Sequence, residues 1–521
     1  IVKEMEDMTL TSITSSRSSD GYDLADIDFD GAAMITPRTT NTNLDAVSQE
    51  FRLASNNNEK VNWLVGAYYY QEDLAYDADV IWGPMWRPLM DIFTAQQTGG
   101  LASLAGVGAI FNVPSSQILQ AGTGSIVSGT QDTETTTFFA QVDINLTDKL
   151  SAILGASYIE DDKKATLSEL NTDVFSQLDF VGAGTLQYIQ AGFPPATAAA
   201  LAGDPATNPL LLFQGLQFLN QLVAIPNAAE SGQSLDDNVD YTAKLTYLIN
   251  DNVSIYGGVA TGFKSSAWNL TGNSLPSTSE IAALAAAGTP VPPNTSPGQR
   301  YARPESAEVF ELGMKMRLPS GYLNITAFKQ EIEDFQSNVF VSSGFILANA
   351  GLQSSEGFEF DLLLSPVPSI DITFGGLVMD SNYDSFVGAD TSSGADMSGT
   401  KPENVHDKSF TSAITYNWSQ GQTEGYVRLN HLYSGPTWIR LDPADNDVMC
   451  AAGFCQKTKD TLNFSAGITM GNLDIILYGN NINDDEYLTS TFPEVGDPLA
   501  SSFNGYPNAP KTYGITFNYS F

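Results

Sequence analysis

Tyr513-Gly514-Ile515-Thr516-Phe517-Asn518-Tyr519-Ser520-Phe521 places an aromatic or branched apolar residue at every second position. The alternate positions hold only glycine, threonine, asparagine and serine. Period two belongs to an extended strand, whose successive side chains point to opposite faces. This strand has one face suited to hydrocarbon and one suited to water or to a polar interior. Leu473-Asp474-Ile475-Ile476-Leu477-Tyr478 and Tyr322-Leu323-Asn324-Ile325-Thr326-Ala327-Phe328 show the same two-faced reading.

Working back from the C-terminus, strand-like segments fall near residues 508–521, 473–490, 458–471, 423–438, 405–419, 370–386, 345–366, 322–341 and 306–318. Earlier ones fall near 252–268, 234–250, 150–168, 133–147, 61–80, 46–55 and 8–19. The count is about 16, an even number compatible with bacterial outer-membrane barrels. Tight, turn-rich connections such as Thr147-Asp148-Lys149, Asn250-Asp251-Asn252, Pro319-Ser320-Gly321 and Gly471-Asn472 alternate with long ones. The long connections lie near 81–132, 169–233, 269–305, 387–404, 439–457 and 491–507. Short turns on one side and long loops on the other are the pattern of a barrel inserted from the periplasm. Tyr and Trp beside the turns, among them Trp63, Tyr68, Tyr70, Tyr256, Tyr322, Tyr416, Trp418, Tyr426 and Tyr433, are candidates for interfacial girdles.

Composition narrows the class further. Lys and Arg total 23 against 60 Asp and Glu, a formal net charge of -37. A chain so acidic lacks the basic surface that phosphate neutralisation requires, so nucleic acid is excluded as a partner. Mean hydropathy is -0.10 and no apolar run reaches the length of a spanning helix. A spanning barrel evades that test, because only alternate residues meet lipid. Ile1 is not preceded by a charged and then apolar leader, so no signal peptide is visible and a longer precursor is expected.

Several stretches resemble the barrel half of TonB-dependent receptors. They are Ser48-Gln49-Glu50-Phe51-Arg52-Leu53-Ala54-Ser55 followed by Trp63-Leu64-Val65-Gly66-Ala67-Tyr68-Tyr69, and Ile255-Tyr256-Gly257-Gly258-Val259-Ala260-Thr261-Gly262-Phe263-Lys264-Ser265. Arg303-Pro304-Glu305-Ser306 with Glu311-Leu312-Gly313-Met314-Lys315, Asn349-Ala350-Gly351 with Glu356-Gly357-Phe358-Glu359, and Gly479-Asn480-Asn481-Ile482-Asn483-Asp484-Asp485-Glu486-Tyr487 complete the series. The aromatic Phe521 also resembles the terminal signal by which such barrels are recognised for assembly. The resemblance implies a transmembrane antiparallel β-barrel of about 22 strands, of which residues 1–521 supply about 16, with the first strands, the plug and the TonB box outside the chain. It implies active import of a scarce nutrient complex, most often a ferric siderophore, driven by the TonB-ExbB-ExbD system through a plug. Outer-membrane lipid and lipopolysaccharide would surround it. A passive porin and a surface scaffold that binds an extracellular partner through apolar loops are the alternatives.

Function is then expected in the loops and the lumen. The loop near 81–132 opens Ile81-Trp82-Gly83-Pro84-Met85-Trp86-Arg87-Pro88, and that near 169–233 holds Leu210-Leu211-Leu212-Phe213-Gln214-Gly215-Leu216-Gln217-Phe218-Leu219 at helix-like spacing. Apolar loops of this length either pack into a lid of their own or line an entrance for an amphipathic ligand. On the second reading Trp82, Trp86 and Trp268, with Trp438, supply flat contact surface. Arg87, Lys264, Arg303 and Arg440 are the cations that an anionic ligand would use. Cys450 and Cys455 read as a disulfide of a short surface loop in an oxidising compartment. With two histidines, His406 and His431, neither spaced to the cysteines, no zinc site is expected. Asp442, Asp445 and Asp447 lack the glycine and final glutamate of a calcium loop, so no metal is expected there either. No nucleophile elbow, Walker loop or HExxH motif is present, so neither an enzyme nor a cofactor is expected.

Overall fold

The computed structural model describes residues 1–521 except 30, 57–59, 101, 220, 296, 342–343, 391–394, 440–449, 455 and 494–502. Strands β1 (Val2–Glu4), β2 (Met8–Ala25), β3 (Arg38–Ser55), β4 (Val61–Ile81), β5 (Gly124–Asn145), β6 (Leu150–Asn171), β7 (Gln233–Asn250) and β8 (Val253–Lys264) run up and down in sequence. A small ladder of β9 (Ala267–Trp268) and β10 (Tyr301–Ala302) follows. The meander then resumes through β11 (Glu305–Leu318), β12 (Gly321–Val341), β13 (Gly344–Val367) and β14 (Ile370–Ser385). The pair β15 (Val387–Asp390) and β16 (Ala395–Asp396) precedes β17 (Lys408–Gln420), β18 (Thr423–Trp438), β19 (Gln456–Met470) and β20 (Leu473–Asn480). The pair β21 (Leu488–Pro493) and β22 (Phe503–Pro507) precedes β23 (Thr512–Tyr519). Leaving out the three small pairs, the strands form one 17-stranded sheet in which sequence neighbours are sheet neighbours. Each of the expected strands has its counterpart there, with short β1 added.

The register carries the argument for a membrane. Val61, Ile144, Ala152, Leu245, Gly257, Leu312, Ala327, Phe358 and Val378 stand side by side in one row from β4 to β14. On the same face Ile372, Ile414, Leu429 and Phe464 continue it towards β19. The larger side chains of the row are bare: Leu245 is 54% exposed, Leu312 66% and Phe358 60%. An unbroken apolar band of this extent has no place in water. On β4 the band runs from Val61 to Tyr69, about 26 Å of strand at ~3.3 Å per residue. At a tilt of ~40° that is roughly 20 Å of height, close to the ~25 Å apolar band of outer-membrane barrels.

Above the band the same face turns acidic, with Asp73 opposite Asp132, Glu134 opposite Asp162 and Glu160 opposite Asp237. Strands β4, β5 and β6 therefore rise well beyond the ~9–11 residues that a bilayer needs. This explains where the sequence reading of the strands fell short. β2 and β3 extend to Ala25 and back to Arg38 through polar stretches such as Ser15–Asp23, held by the ladder and not by an apolar stripe. The expected aromatic girdle also divides. Trp63, Tyr416, Trp418 and Tyr433 lie on the apolar face, but Tyr68, Tyr70, Tyr256, Tyr322 and Tyr426 occupy positions of the other parity and point away from it. Several of these inner rings cover cross-strand glycines. A Cβ on Gly313 would sit 2.3 Å from Tyr256, and one on Gly467 would sit 2.4 Å from Tyr426.

The connections alternate between short and long. Those at 5–7, 56–60, 146–149, 251–252, 319–320, 368–369, 421–422 and 471–472 are short. At the other end lie 26–37, 82–123, 172–232, 265–304, 386–407, 439–455 and 481–511. Two expected strands end early there, at Asn480 and at Thr512, because Asn481 and Asp484 adopt left-handed backbone (φ 51° and 59°) that breaks the ladder. Helices α1 (Trp86–Thr98), α2 (Leu104–Phe111), α3 (Phe180–Gln190), α4 (Pro195–Ala202) and α5 (Thr278–Ala286) all belong to these long connections. The helix-like stretch after Pro209 is a 3-10 helix, Pro209–Leu216. Among the described residues no helix is long and apolar enough to cross a membrane.

Candidate binding site

The long connections do not float. Residues from 26–37, 82–123 and 172–232 share one buried cluster that includes Met34, Ile35, Trp82, Trp86, Met90, Leu104, Phe175, Phe180, Phe213 and Leu216. Trp82 and Trp86 stack with ring centroids 4.6 Å apart and a 6° interplanar angle, and each is 1% exposed. Phe218 meets Trp86 edge-on at 5.2 Å. The two indoles expected to line an entrance are thus the centre of a self-packed cap. Burial of this kind outweighs exposure to a ligand, because each indole removes a large apolar surface from water. Arg87 is also taken up internally. Its guanidinium pairs with Asp91 at 2.9 Å and donates to the carbonyls of Ser115 and Ile118, stapling α1 to the 115–118 turn.

A second clasp joins the cap to the 265–304 connection. Arg300 and Glu230 form an ion pair at 3.0 Å with side chains 1% and 4% exposed, and Arg300 donates to Val223 O at 2.7 Å. Asn294 donates to Leu178 O at 2.5 Å. Burial raises the Glu230 carboxyl above its ordinary range, against the opposing pull of Asn227 and Arg300, and lowers the Arg300 guanidinium. Burial likewise raises Asp173, a carboxylate with no exposed surface that caps the turn through the Ser176 hydroxyl and the Phe175 and Ser176 amides.

Below the cap, on the face opposite the apolar band, the structure gathers a different set. Val127, Ala165, Leu167, Leu222, Ile225 and Leu270 form a cluster against which Leu74, Tyr76 and Trp268 pack, each only partly buried. Trp268 lies 5.0 Å from Tyr301 across the β9–β10 pair and donates its indole N–H to Ser234 at 3.3 Å. Arg38 donates to the Tyr76 hydroxyl at 2.7 Å. The root of the 265–304 connection is pinned beside this patch: Lys163 bonds Asp161 (2.8 Å), Ser265 and Ser266 O, while Asp236 accepts from the Ser266 amide and hydroxyl. Down the same face of β4, Tyr70 and Tyr68 continue the aromatic line with parallel rings 6.5 Å apart.

Of the residues singled out in the sequence, Lys264, Trp268 and Arg303 come together at the outer ends of β8 and β11, while Trp82, Trp86 and Arg87 belong to the cap. Lys264 faces Glu305 at 4.0 Å, and Arg303 pairs with Asp334 at 2.5 Å. Trp438 ends β18 opposite Gln456, away from that group in the strand order. Arg440, Asp442, Asp445, Asp447 and Cys455 lie outside the described residues; Cys450 is disulfide-bonded. Tyr76, Tyr301 and Arg38 escaped the sequence reading. The parity of Tyr68, Tyr70 and Tyr76 on β4 was the signal that could have found the first.

The recurring sequence elements also acquire a physical role. Asn349 accepts from the Arg303 amide and donates to the Arg303 and Asp334 carbonyls, while Glu305 accepts from the Gln336 amide. The Arg303-Pro304-Glu305 and Asn349-Ala350-Gly351 stretches therefore fasten each other at the outer rim. Asn481 holds the turn before β21 through Asp485 and Ala509, and Asn483 reaches the amide and carbonyl of Leu462 and Asp460.

No curated protein sequence matches the chain. Among solved structures, the ferric yersiniabactin uptake receptor FyuA of Yersinia pestis is similar at 15% identity and a TM-score of 0.66, over 100% of this chain and 60% of that one. The siderophore receptor PiuA of Acinetobacter baumannii is similar at 15% identity and 0.59, over 99% and 62%. The copper transporter OprC is similar at 9% identity and 0.56, over 99% and 62%. The chain thus spans about 60% of the length of these proteins, and at such identity the likeness speaks for the fold. The family model described as TonB dependent receptor-like, beta-barrel matches residues 9–482. With that match over most of its length, an apolar band in register and long connections gathered at one end, the chain belongs to the TonB-dependent receptor β-barrel family.

Proposed function

We propose that the chain is the wall and outer cap of an outer-membrane receptor that actively imports a scarce nutrient complex, with a ferric siderophore as the cargo. The observation that carries the reading is the vertical order of parts: an apolar band for the membrane, a partly open aromatic patch on the inner face, and a packed cap above it. An inner-face patch of Trp268, Tyr301 and Tyr76 under a lid suits capture of a cargo before passage. Energy would come from the TonB-ExbB-ExbD system through a plug domain. Lipid and lipopolysaccharide would contact the apolar band and the acidic collar above it.

The test is peptide mapping and intact-mass analysis of the mature protein taken from outer membranes. A plug with a TonB box in the same polypeptide as these strands supports gated import. A mature polypeptide without a plug refutes it and favours a diffusion channel.

A further inference from the structure

Arg38 opens β3 on the inner face, and it is held unlike the other cations around the patch. Lys163 and Arg300 are buried against Asp161 and Glu230. Lys264 and Arg303 are 58% and 60% exposed, yet each still faces a carboxylate, Glu305 at 4.0 Å and Asp334 at 2.5 Å. Arg38 is half-buried, and among the described residues no carboxylate pairs with it. Its Nη2 donates to the Tyr76 hydroxyl at 2.7 Å, while its buried Nε–H has no acceptor. A guanidinium has five N–H donors and no acceptor, and a buried donor left unmet keeps its full desolvation cost. Tyr76 accepts through its oxygen and so retains its own O–H to donate. Two donors, one of them charged, therefore stand side by side at the edge of the patch. The floor beside them is apolar. Tyr76 lies opposite Gly129 in the register, and the missing side chain lets Leu270 settle against the wall, where a Cβ on Gly129 would stand 3.2 Å from it. Trp268 packs on the same cluster as Leu270, with its ring 5.0 Å from Tyr301.

From this we infer that Arg38 is the charge anchor of the patch, and that the cargo presents to it one carboxylate borne on a flat apolar body. A carboxylate is planar like the guanidinium, and its two oxygens match a pair of parallel N–H groups. Tyr76 donates to the same acid group and fixes its place along β4. One cation balances one negative charge. A phosphate dianion or a multiply charged body brings more, and meets Glu72 further down the same face of β4 and Asp161 beside Lys163. Leu74, Leu270 and Trp268 then take the apolar body out of water. This role for Arg38 rests on the import reading above and adds to it the group by which the cargo is recognised.

The experiment is equilibrium dialysis of the full-length receptor in detergent micelles, blanked against protein-free micelles, with naphthoate and the neutral naphthamide as probes. The naphthoate should bind about tenfold more tightly. Arg38→Gln should remove that preference and leave the naphthamide affinity unchanged, with the heat-modifiable band of a folded barrel retained. Arg38→Lys, which keeps the charge without the planar fork, should restore part of the preference. Trp268→Ala should weaken both probes alike, by about tenfold. Equal affinity for the two probes, a preference that survives Arg38→Gln, or binding of neither probe by the folded receptor overturns the anchor, and each of these leaves energised import standing. Uptake that needs no TonB overturns the import reading, whatever Arg38 binds.

Discussion

Replacing Arg300 with Met should spring the cap while leaving the barrel wall intact. The guanidinium is 1% exposed and supplies the buried positive charge at 3.0 Å from Glu230, so its loss strands a carboxylate that burial already disfavours. Breaking a buried pair from one side costs about 3–5 kcal/mol, which at ~1.4 kcal/mol per tenfold raises the open population of the clasp by about 100-fold or more. Hydrogen exchange at Leu167 and Ile225 reads this directly, because their amides and carbonyls bond each other at 2.9 Å where the 172–232 connection meets β6. Arg300→Met should speed exchange there by about that factor and leave amides of the β11–β12 ladder unchanged. Adding Glu230→Gln, which keeps an acceptor for Asn227, should restore most of the protection. The sign with pH follows as well. Closing raises the Glu230 carboxyl above its ordinary 4.5, so the closed cap binds the proton more tightly than the open one. Protection therefore falls as pH rises from 4.5 through the raised value and levels off above it. Glu230→Gln should remove that slope. Unchanged exchange in Arg300→Met, or a double variant no better than the single, would refute the clasp.

Leu312→Arg, in the middle of the apolar band, should cost about 2–4 kcal/mol in urea-driven unfolding from liposomes. Glu308→Arg on the same strand and face, at the height where the band gives way to charge, should cost within about 1 kcal/mol; equal costs would remove the assignment of the band. Gly313→Ala should destabilise the wall by about 1–3 kcal/mol, since its Cβ would press on Tyr256, a ring held by Thr326 at 2.9 Å and covered by Lys244; Tyr256→Ala in the same chain should relieve it, as read by the urea midpoint. Cys450 and Cys455 should appear as one linked pair in non-reducing peptide mapping, with the peptide two hydrogens lighter than after reduction; free thiols at both would contradict it.

The strands were legible because a wall with one side in lipid must repeat apolar residues at period two, as Tyr513–Phe521 and Tyr322–Phe328 do. That signal stops where the lipid stops. Ser15–Asp23 and Thr39–Asn43 are strands by virtue of the ladder alone, and nothing in their own residues announces it. Parity, not proximity to a turn, decides which aromatics meet the membrane, so Trp63 and Tyr416 belong to the band while Tyr68 and Tyr256 do not. The cap was legible as long apolar loops but not as a particular interior, because Trp82 meets Ile35 and Trp86, and Trp86 meets Phe218, joining three separate connections. Charge was the least readable feature. Arg87 looked available in the sequence, and only the folded 115–118 turn shows what consumes it.

The central claim, that this wall serves energised import, is tested most directly by uptake of radiolabelled ferric siderophores into cells carrying the full-length receptor, with and without a working TonB. The account predicts saturable uptake that disappears without TonB or when the proton gradient is collapsed, while binding at the cell surface persists. Uptake that continues unchanged without TonB would contradict it and make the protein a diffusion channel.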